Sequence, residues 1–195
     1  MTGVQTCALP IRVLCVGKLA AERKRHFLLI EALQQLPSLP FELTIVGSSS
    51  SAINHGDATY RERLLGYARH GALAPKISIA ADVPYAAMRA LYLRHDVCVL
   101  PASGEPLGMA PLEAAGCGCV PVVSTDCGSA ASLTSDRDSL IFPGGDVAAL
   151  SAALLRLFQE AGTLQRLGRG AYRFAREELD PMRFVERLEQ IAAAL

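Results

Sequence analysis

The chain has 195 residues, 51% of them apolar, enough for one substantial core and within the size range of a single domain. Its 19 Lys and Arg balance 19 Asp and Glu, and neither sign is blocked into a long run, which excludes the electrostatic footprint of a nucleic-acid binder and an acidic tail. No stretch reaches the ~18–20 uninterrupted apolar residues of a spanning helix, and the early hydrophobic stretch lacks the basic start of a signal peptide, so a soluble chain with small or local partners is expected.

Residues 1–11, MTGVQTCALPI, have neither the periodicity of an element nor the pattern of a targeting segment. Back-translated with suitable codons, they resemble a common short-read sequencing adapter. They are expected to be a non-native leader, with natural coding sequence entered near Arg12; a genuine N-terminal segment is the alternative. From Arg12 onward, short β-branched runs alternate with amphipathic helices. Strands are predicted over 12–16, 42–46, 76–80, 96–100, 119–124 and 139–142. Helices are predicted over 25–35, 60–70, 84–94 and 109–116, with a shorter one at 129–133. Three more follow in succession, 147–160, 163–178 and 181–194. In the first of these, Leu150, Leu154, Leu155 and Phe158 form one apolar stripe, and Asp146 stands before it as an N-cap. The series implies an α/β fold with a doubly wound, mostly parallel, Rossmann-like sheet and C-terminal helices, whose ligands bind outside the carboxyl ends of the strands.

The informative residues fall at those ends. Gly17 closes the first strand, Gly47 the second, and Ser103-Gly104-Glu105 follow the fourth. Gly17-Lys18-Leu19 offers one glycine and a cation instead of a Gly-x-Gly-x-x-Gly fingerprint, which argues against a nicotinamide dinucleotide. The segment 101–123, PASGEPLGMAPLEAAGCGCVPVV, sets Glu105 and Glu113 eight positions apart around a glycine-containing loop. With Pro111 near the first helical position, Glu105 is expected on the loop and Glu113 in the first helical turn. Free N–H groups of such a loop and helix start suit phosphate, and the carboxylates can accept hydrogen bonds from sugar hydroxyls, each worth about 1.5–3 kcal/mol. Taken alone, Glu113 also reads as a carboxylate favoured by the helix dipole, Glu105 as a solvated loop residue, and Arg23-Lys24-Arg25 as a solvated charge run. The six cysteines include Cys117-Gly-Cys119, whose single intervening residue does not fit a zinc site. They read as structural thiols of a reducing compartment. His26, His55, His70 and His95 read as surface residues.

Glu-Pro-Leu-Gly, Leu-Glu-Ala, Gly-Cys and Pro-Val-Val in one register resemble the Glu-x7-Glu segment of retaining GT-B glycosyltransferases, family 4, where the usual form is Glu-x-Phe-Gly followed by Glu-Ala. Leu107 stands where that family commonly has Phe. Gly17-Lys18-Leu19 with Lys24 resembles its Gly-Arg-Leu followed by Lys-Gly, with Lys18 in place of arginine, one residue inserted, and Arg23 as the alternative to Lys24. The turn 124–128 and the run Phe142-Pro-Gly-Gly-Asp146 extend the likeness over nearly all of 12–195, while Asp138-Ser139 departs from the glycine usual before Leu-Ile.

The resemblance implies the C-terminal, donor-binding half of a GT-B fold, its N-terminal acceptor domain lying outside this chain. Glu113 would bind the ribose hydroxyls and Glu105 the transferred hexosyl sugar. Backbone groups at Gly17, Leu107, Gly108 and Met109 would complete the donor site, and Lys18 and Lys24 would neutralise the departing diphosphate. It implies a UDP-, GDP- or ADP-sugar as substrate, no cofactor and no metal, an acceptor that is a glycan, lipid or small molecule, and a cytoplasmic location, with peripheral association of the full-length enzyme at the inner membrane face left open. This chain alone would transfer little or no sugar. Two other readings stand beside it: a stand-alone nucleotide-sugar binding module working with a partner, and an unrelated doubly wound nucleotide-binding protein.

Overall fold

The structure, a computed structural model, describes residues 9–49, 57–160 and 162–193. Of the adapter-like residues 1–11, residues 1–8 lie outside the described residues, as does His55. Six strands form one parallel sheet: β1 (Ile11–Val16), β2 (Phe41–Gly47), β3 (Ile77–Ala81), β4 (Val97–Leu100), β5 (Val120–Ser124) and β6 (Leu140–Phe142). Their order is β3-β2-β1-β4-β5-β6, so the chain winds outward from β1, returns to the middle at β4 and winds out on the other side. The described residues form seven helices: α1 (His26–Gln34), α2 (Ala58–His70), α3 (Tyr85–Arg94), α4 (Met109–Ala115), α5 (Val147–Gln159), α6 (Thr163–Glu178) and α7 (Pro181–Ala193).

Alternation along the strands sorts the core into two layers. Val13, Cys15, Leu43, Ile45, Val97, Val99, Val120 and Val122 face one side, where they meet Leu29 and Leu33 of α1, Leu64 of α2 and Leu150 and Leu154 of α5. Leu14, Val46 and Cys98 face the other, against Tyr92 of α3 and Ala114 of α4. Leu100 and Val123 continue that second side over Leu112 of α4 and Phe174 of α6. Strands β4 and β5 are buried along their whole length, as central parallel strands must be. Each fully buried leucine of the α1 and α5 stripes contributes about 1.5–3 kcal/mol. Opposite the site, Asp96 accepts from the Arg12 backbone N–H at 2.8 Å and from its guanidinium at 3.0 and 3.2 Å, tying β1 to β4.

The expected elements recur with shifted edges, and each shift has a local cause. Ile11 joins β1, opposite Phe41 and ahead of the expected start at Arg12, because its N–H finds the Pro40 carbonyl. Asp96 and Lys76 fall outside β4 and β3: Asp96 is turned to Arg12, and Lys76 ends a 3₁₀ turn, Ala74–Lys76. Arg25 does not open α1 but precedes it in the left-handed region, φ 49°, after a 3₁₀ turn at Glu22–Lys24. The short helix expected at 129–133 is a 3₁₀ turn at Gly128–Ala131. Asp146 caps α5 as expected, accepting from the Ala149 N–H at 2.9 Å, and Asp57 does the same for α2 through Thr59.

His26 corrects the sequence reading most sharply. It is fully buried, with its backbone N–H donating to the Tyr60 hydroxyl at 3.0 Å and its Nδ1 3.3 Å from the same oxygen. The left-handed Arg25 turns the chain so that the residue after a charged run points inward. Burial, reinforced by the Lys24 charge, lowers the His26 pKa to about 4 despite the opposing Gly17 carbonyl. The described cysteines, Cys15, Cys98, Cys117, Cys119 and Cys127, are free thiols. Burial pushes Cys15 up to about 12 and Cys127 to about 11, which leaves both thiols protonated and unreactive at neutral pH.

Candidate active site at the switch point of the sheet

The strand order reverses between β1 and β4, and in an open parallel sheet the loops leaving two such strands diverge to form a crevice. The β1 exit, residues 17–25, carries Gly17, Lys18, Arg23, Lys24 and Arg25; the β4 exit, residues 101–108, carries Glu105, Leu107 and Gly108. Ser103 donates its backbone N–H to the Arg23 carbonyl at 2.8 Å, and the Arg25 guanidinium donates to the Ser103 hydroxyl at 3.0 Å, so the two loops are joined at the rim.

An ion pair joins them deeper down. Lys24 Nζ lies 2.6 Å from Glu105 Oε2, each side chain only 12–13% exposed, and the Arg23 guanidinium contacts the same oxygen through NH1. Partial burial acts to raise the Glu105 pKa, but the hydrogen bond and charge of Lys24, with Arg23 behind it, outweigh burial and hold the carboxyl below its ordinary value. The stem of Lys24 lies against Gly17, where a side chain would bring a Cβ within 3.0 Å of it, so the glycine makes room for the lysine. Lys18 follows Gly17 on the same loop and accepts the Ala21 N–H through its carbonyl at 3.1 Å. The link to Glu105 is made by Lys24 and Arg23.

The Glu105 loop is fixed from below by the β5 exit. Its N–H donates to the Asp126 carbonyl, its own carbonyl accepts from Gly128, and the Leu107 carbonyl accepts from Ser129 at 2.6 Å. Gly108 has φ 76°, and an added Cβ would sit 2.6 Å from Leu100 Cδ2; only glycine lets the loop cross the end of β4 here and start α4. Leu107 and Met109 are half exposed on either side of it. Among the described residues, the N–H groups of Leu107 and Gly108 donate to no other protein atom, and Met109 opens the helix with its N–H also unused. The buried Ser129 hydroxyl beneath this loop is likewise without a protein partner.

Because α4 starts at Met109, Pro111 is its third residue and Glu113 its fifth, so Glu113 lies in the second turn and not the first. The dipole explanation for Glu113 loses its basis, since that effect fades beyond the first turn. Its partner is Tyr92, a residue the sequence did not single out. The Tyr92 hydroxyl, from the buried face of α3, donates to Glu113 Oε2 at 2.6 Å. Burial, and then the bond to Glu113, raises the Tyr92 pKa far above the ordinary phenol value, so the hydroxyl keeps the proton it donates. One Glu113 oxygen is thereby fixed by Tyr92. Among the described residues no group of three or more His, Cys, Asp or Glu has a metal-binding arrangement.

Together the sheet and the charged cluster at its switch point define a Rossmann-like, doubly wound α/β domain of the kind that forms one half of GT-B enzymes. The chain belongs to the glycosyl transferases group 1 family, whose profile matches residues 10–160. Among curated relatives, it is 28% identical over 162 residues to a glycogen synthase of Mycobacterium tuberculosis, covering 83% of this chain and 37% of that protein. The fold matches Anabaena HepE, solved in complex with UDP-glucose, with a TM-score of 0.81 at 16% identity, over 95% of this chain and 49% of that one. It also matches the separately crystallised C-terminal domain of a glycosyl transferase group 1 family protein, LpcC from Francisella tularensis, with a TM-score of 0.75 at 14% identity over 89% of both chains. The chain thus spans well under half the length of the curated relative and about half that of HepE.

Proposed function

We propose that this chain is the donor-binding, C-terminal domain, residues 12–195, of a retaining glycosyltransferase that moves a hexosyl group from a nucleoside-diphosphate sugar to an acceptor held by a separate N-terminal domain. The observation that carries the reading is the pairing of Lys24 with Glu105 across the switch point, with Glu113 on the helix that follows. Glu105 is suited to the transferred sugar, Glu113 to the ribose, and the unused N–H groups of Leu107, Gly108 and Met109 to sugar and phosphate oxygens. Lys18 and Lys24 would balance the charge that grows on the diphosphate as it departs, an electrostatic contribution that needs no covalent intermediate and no metal. HepE, of the same fold, was solved with UDP-glucose bound, which supports a nucleotide sugar here. A cytoplasmic location belongs to the same reading, with peripheral association of the full-length enzyme at the inner membrane face left open.

Calorimetric titration with UDP, GDP and ADP tests it. At least one should bind below millimolar concentration, and Glu113→Ala should weaken that binding about tenfold, the equivalent of one charge-assisted hydrogen bond. Absence of binding by all three at millimolar concentration, or no effect of Glu113→Ala on binding that does occur, would overturn the assignment.

A further inference from the structure

At the other end of the sheet from the crevice, where β4 and β5 begin, the end of α3, the turn 116–118 and α6 enclose a groove of about 880 Å³. The helix lies directly on that turn, since an added Cβ at Gly168 would sit 2.7 Å from the Gly118 carbonyl oxygen. Arg169, Arg173 and Arg176 stand at steps of four and three along α6, so they share one face and line the same groove. All three are exposed and none forms an ion pair among the described residues, although Arg137, Arg156 and Arg183 elsewhere on the surface are paired with Asp138, Asp136 and Glu178. Like charges at such spacing repel, a cost that an anion held between them removes. Among the described residues that line the groove Asp96 is the one carboxylate, and both its oxygens are committed to Arg12. Burial raises the pKa of Cys117 on the turn and the charge of Arg89 opposes it, so a guanidinium of α3 adds to the positive field here.

The same groove carries apolar surface. Leu93 is 52% and Tyr172 48% exposed, and Leu164 and Cys117 line the space with them. Its volume falls within the range of about 300–1,000 Å³ usual for small-molecule sites. Guanidinium forks match phosphate oxygens two at a time, whereas a phenol ring and a leucine match an apolar body and gain nothing from a bare inorganic anion. We propose that this groove is a second ligand site that takes a phosphate ester with an apolar body, the phosphate held by Arg169, Arg173 and Arg176 and the body covered by Tyr172 and Leu93. The site shares no residue with the crevice and stands or falls independently of the donor-site reading.

Two probes separate the sources of such a group. Phenyl phosphate, titrated by calorimetry, stands for a soluble ester; vesicles of phosphatidylcholine with about 20 mol% phosphatidylglycerol, in a sedimentation assay against pure phosphatidylcholine, stand for a lipid headgroup. Binding of either probe should fall about tenfold in Arg169→Gln/Arg173→Gln, and about threefold in Arg173→Lys, which keeps the charge but not the fork. Tyr172→Ala should weaken phenyl phosphate about threefold, and inorganic phosphate should bind wild type at least about threefold more weakly than phenyl phosphate. All the substituted side chains are exposed, so the variants should melt within about 2 °C of wild type, and Arg173→Lys alone suffices if the double variant proves unstable. Binding of phenyl phosphate that the arginine variants lose assigns a soluble ester, and vesicle binding alone that they lose assigns a headgroup; both support the site. Absence of binding by wild type to phenyl phosphate at about 5 mM and to the anionic vesicles, or binding that stays within about twofold in the arginine variants, would overturn it.

Discussion

Removing the Tyr92 hydroxyl gives a direct test of how Glu113 is held. In Tyr92→Phe the ring and its packing are kept, and only the donor 2.6 Å from Glu113 Oε2 is lost. A hydrogen bond to a charged group is worth about 1.5–3 kcal/mol. Tyr92 is buried, but Glu113 is only partly so, and water can reach part of the freed oxygen. The expected loss is therefore near the lower limit, about 1–2 kcal/mol. For a domain of this length that is a fall of roughly 3–6 °C in Tm, and a matching shift in the urea midpoint at unchanged m-value. A double-mutant cycle with Glu113→Gln separates the bond from the rest: the two single losses should exceed the double-mutant loss by about 1 kcal/mol. Strict additivity of the two substitutions, or a Tyr92→Phe protein as stable as wild type, would refute the claim that Tyr92 fixes the carboxylate.

Gly108→Ala should destabilise by about 2–4 kcal/mol, combining the left-handed backbone penalty with a Cβ forced to 2.6 Å from the buried Leu100 side chain; a urea-midpoint loss of less than about 1 kcal/mol would contradict the loop geometry. Stability should also fall with acid in two windows, measured by urea unfolding at fixed ionic strength. Folded His26 has its pKa lowered to about 4 from 6.5, so between those values the unfolded chain binds the extra proton, and about 3 kcal/mol is lost as pH falls from 6.5 to 4. Glu105, lowered from its model-peptide value of 4.5, contributes stability above that pH which disappears as pH falls through its folded pKa, and Glu105→Gln should remove this second window but not the first. A flat profile from pH 6.5 to 5 would contradict a neutral, buried His26.

The parts of this molecule that were legible in the sequence are those encoded by spacing. Alternating apolar runs in β1, β4 and β5 mark strands buried on both faces, and the eight-residue step from Glu105 to Glu113 marks a loop followed by a helix. What spacing does not encode is which distant side chains meet. Arg23 and Lys24 pair with a carboxylate more than eighty positions away, and nothing within the run Arg23-Lys24-Arg25 distinguishes a counter-ion from a solvated face. Tyr92 reads as one more apolar residue of α3, because its hydroxyl matters only once α4 lies beside it. His26 was misread for a different reason. The turn that sends it inward depends on a left-handed backbone at Arg25, a conformation that sequence signals through glycine or asparagine and not through arginine.

These three omissions converge on one physical point. A crevice lined with cations has to remain stable without a ligand, and unpaired, partly buried cations would destabilise it. Here the cations on β1's exit loop are neutralised by Glu105, and the carboxylate on α4 is anchored by a phenol that cannot itself ionise at neutral pH. The buried His26, two residues after Lys24, stays uncharged at neutral pH and adds no further positive charge. The Glu105 and Glu113 carboxylates therefore each have one oxygen committed to the protein, Oε2 in both, and one left over. On the proposed donor-site reading, an incoming phosphate would therefore meet cations that already have a carboxylate partner and not a pair of bare charges.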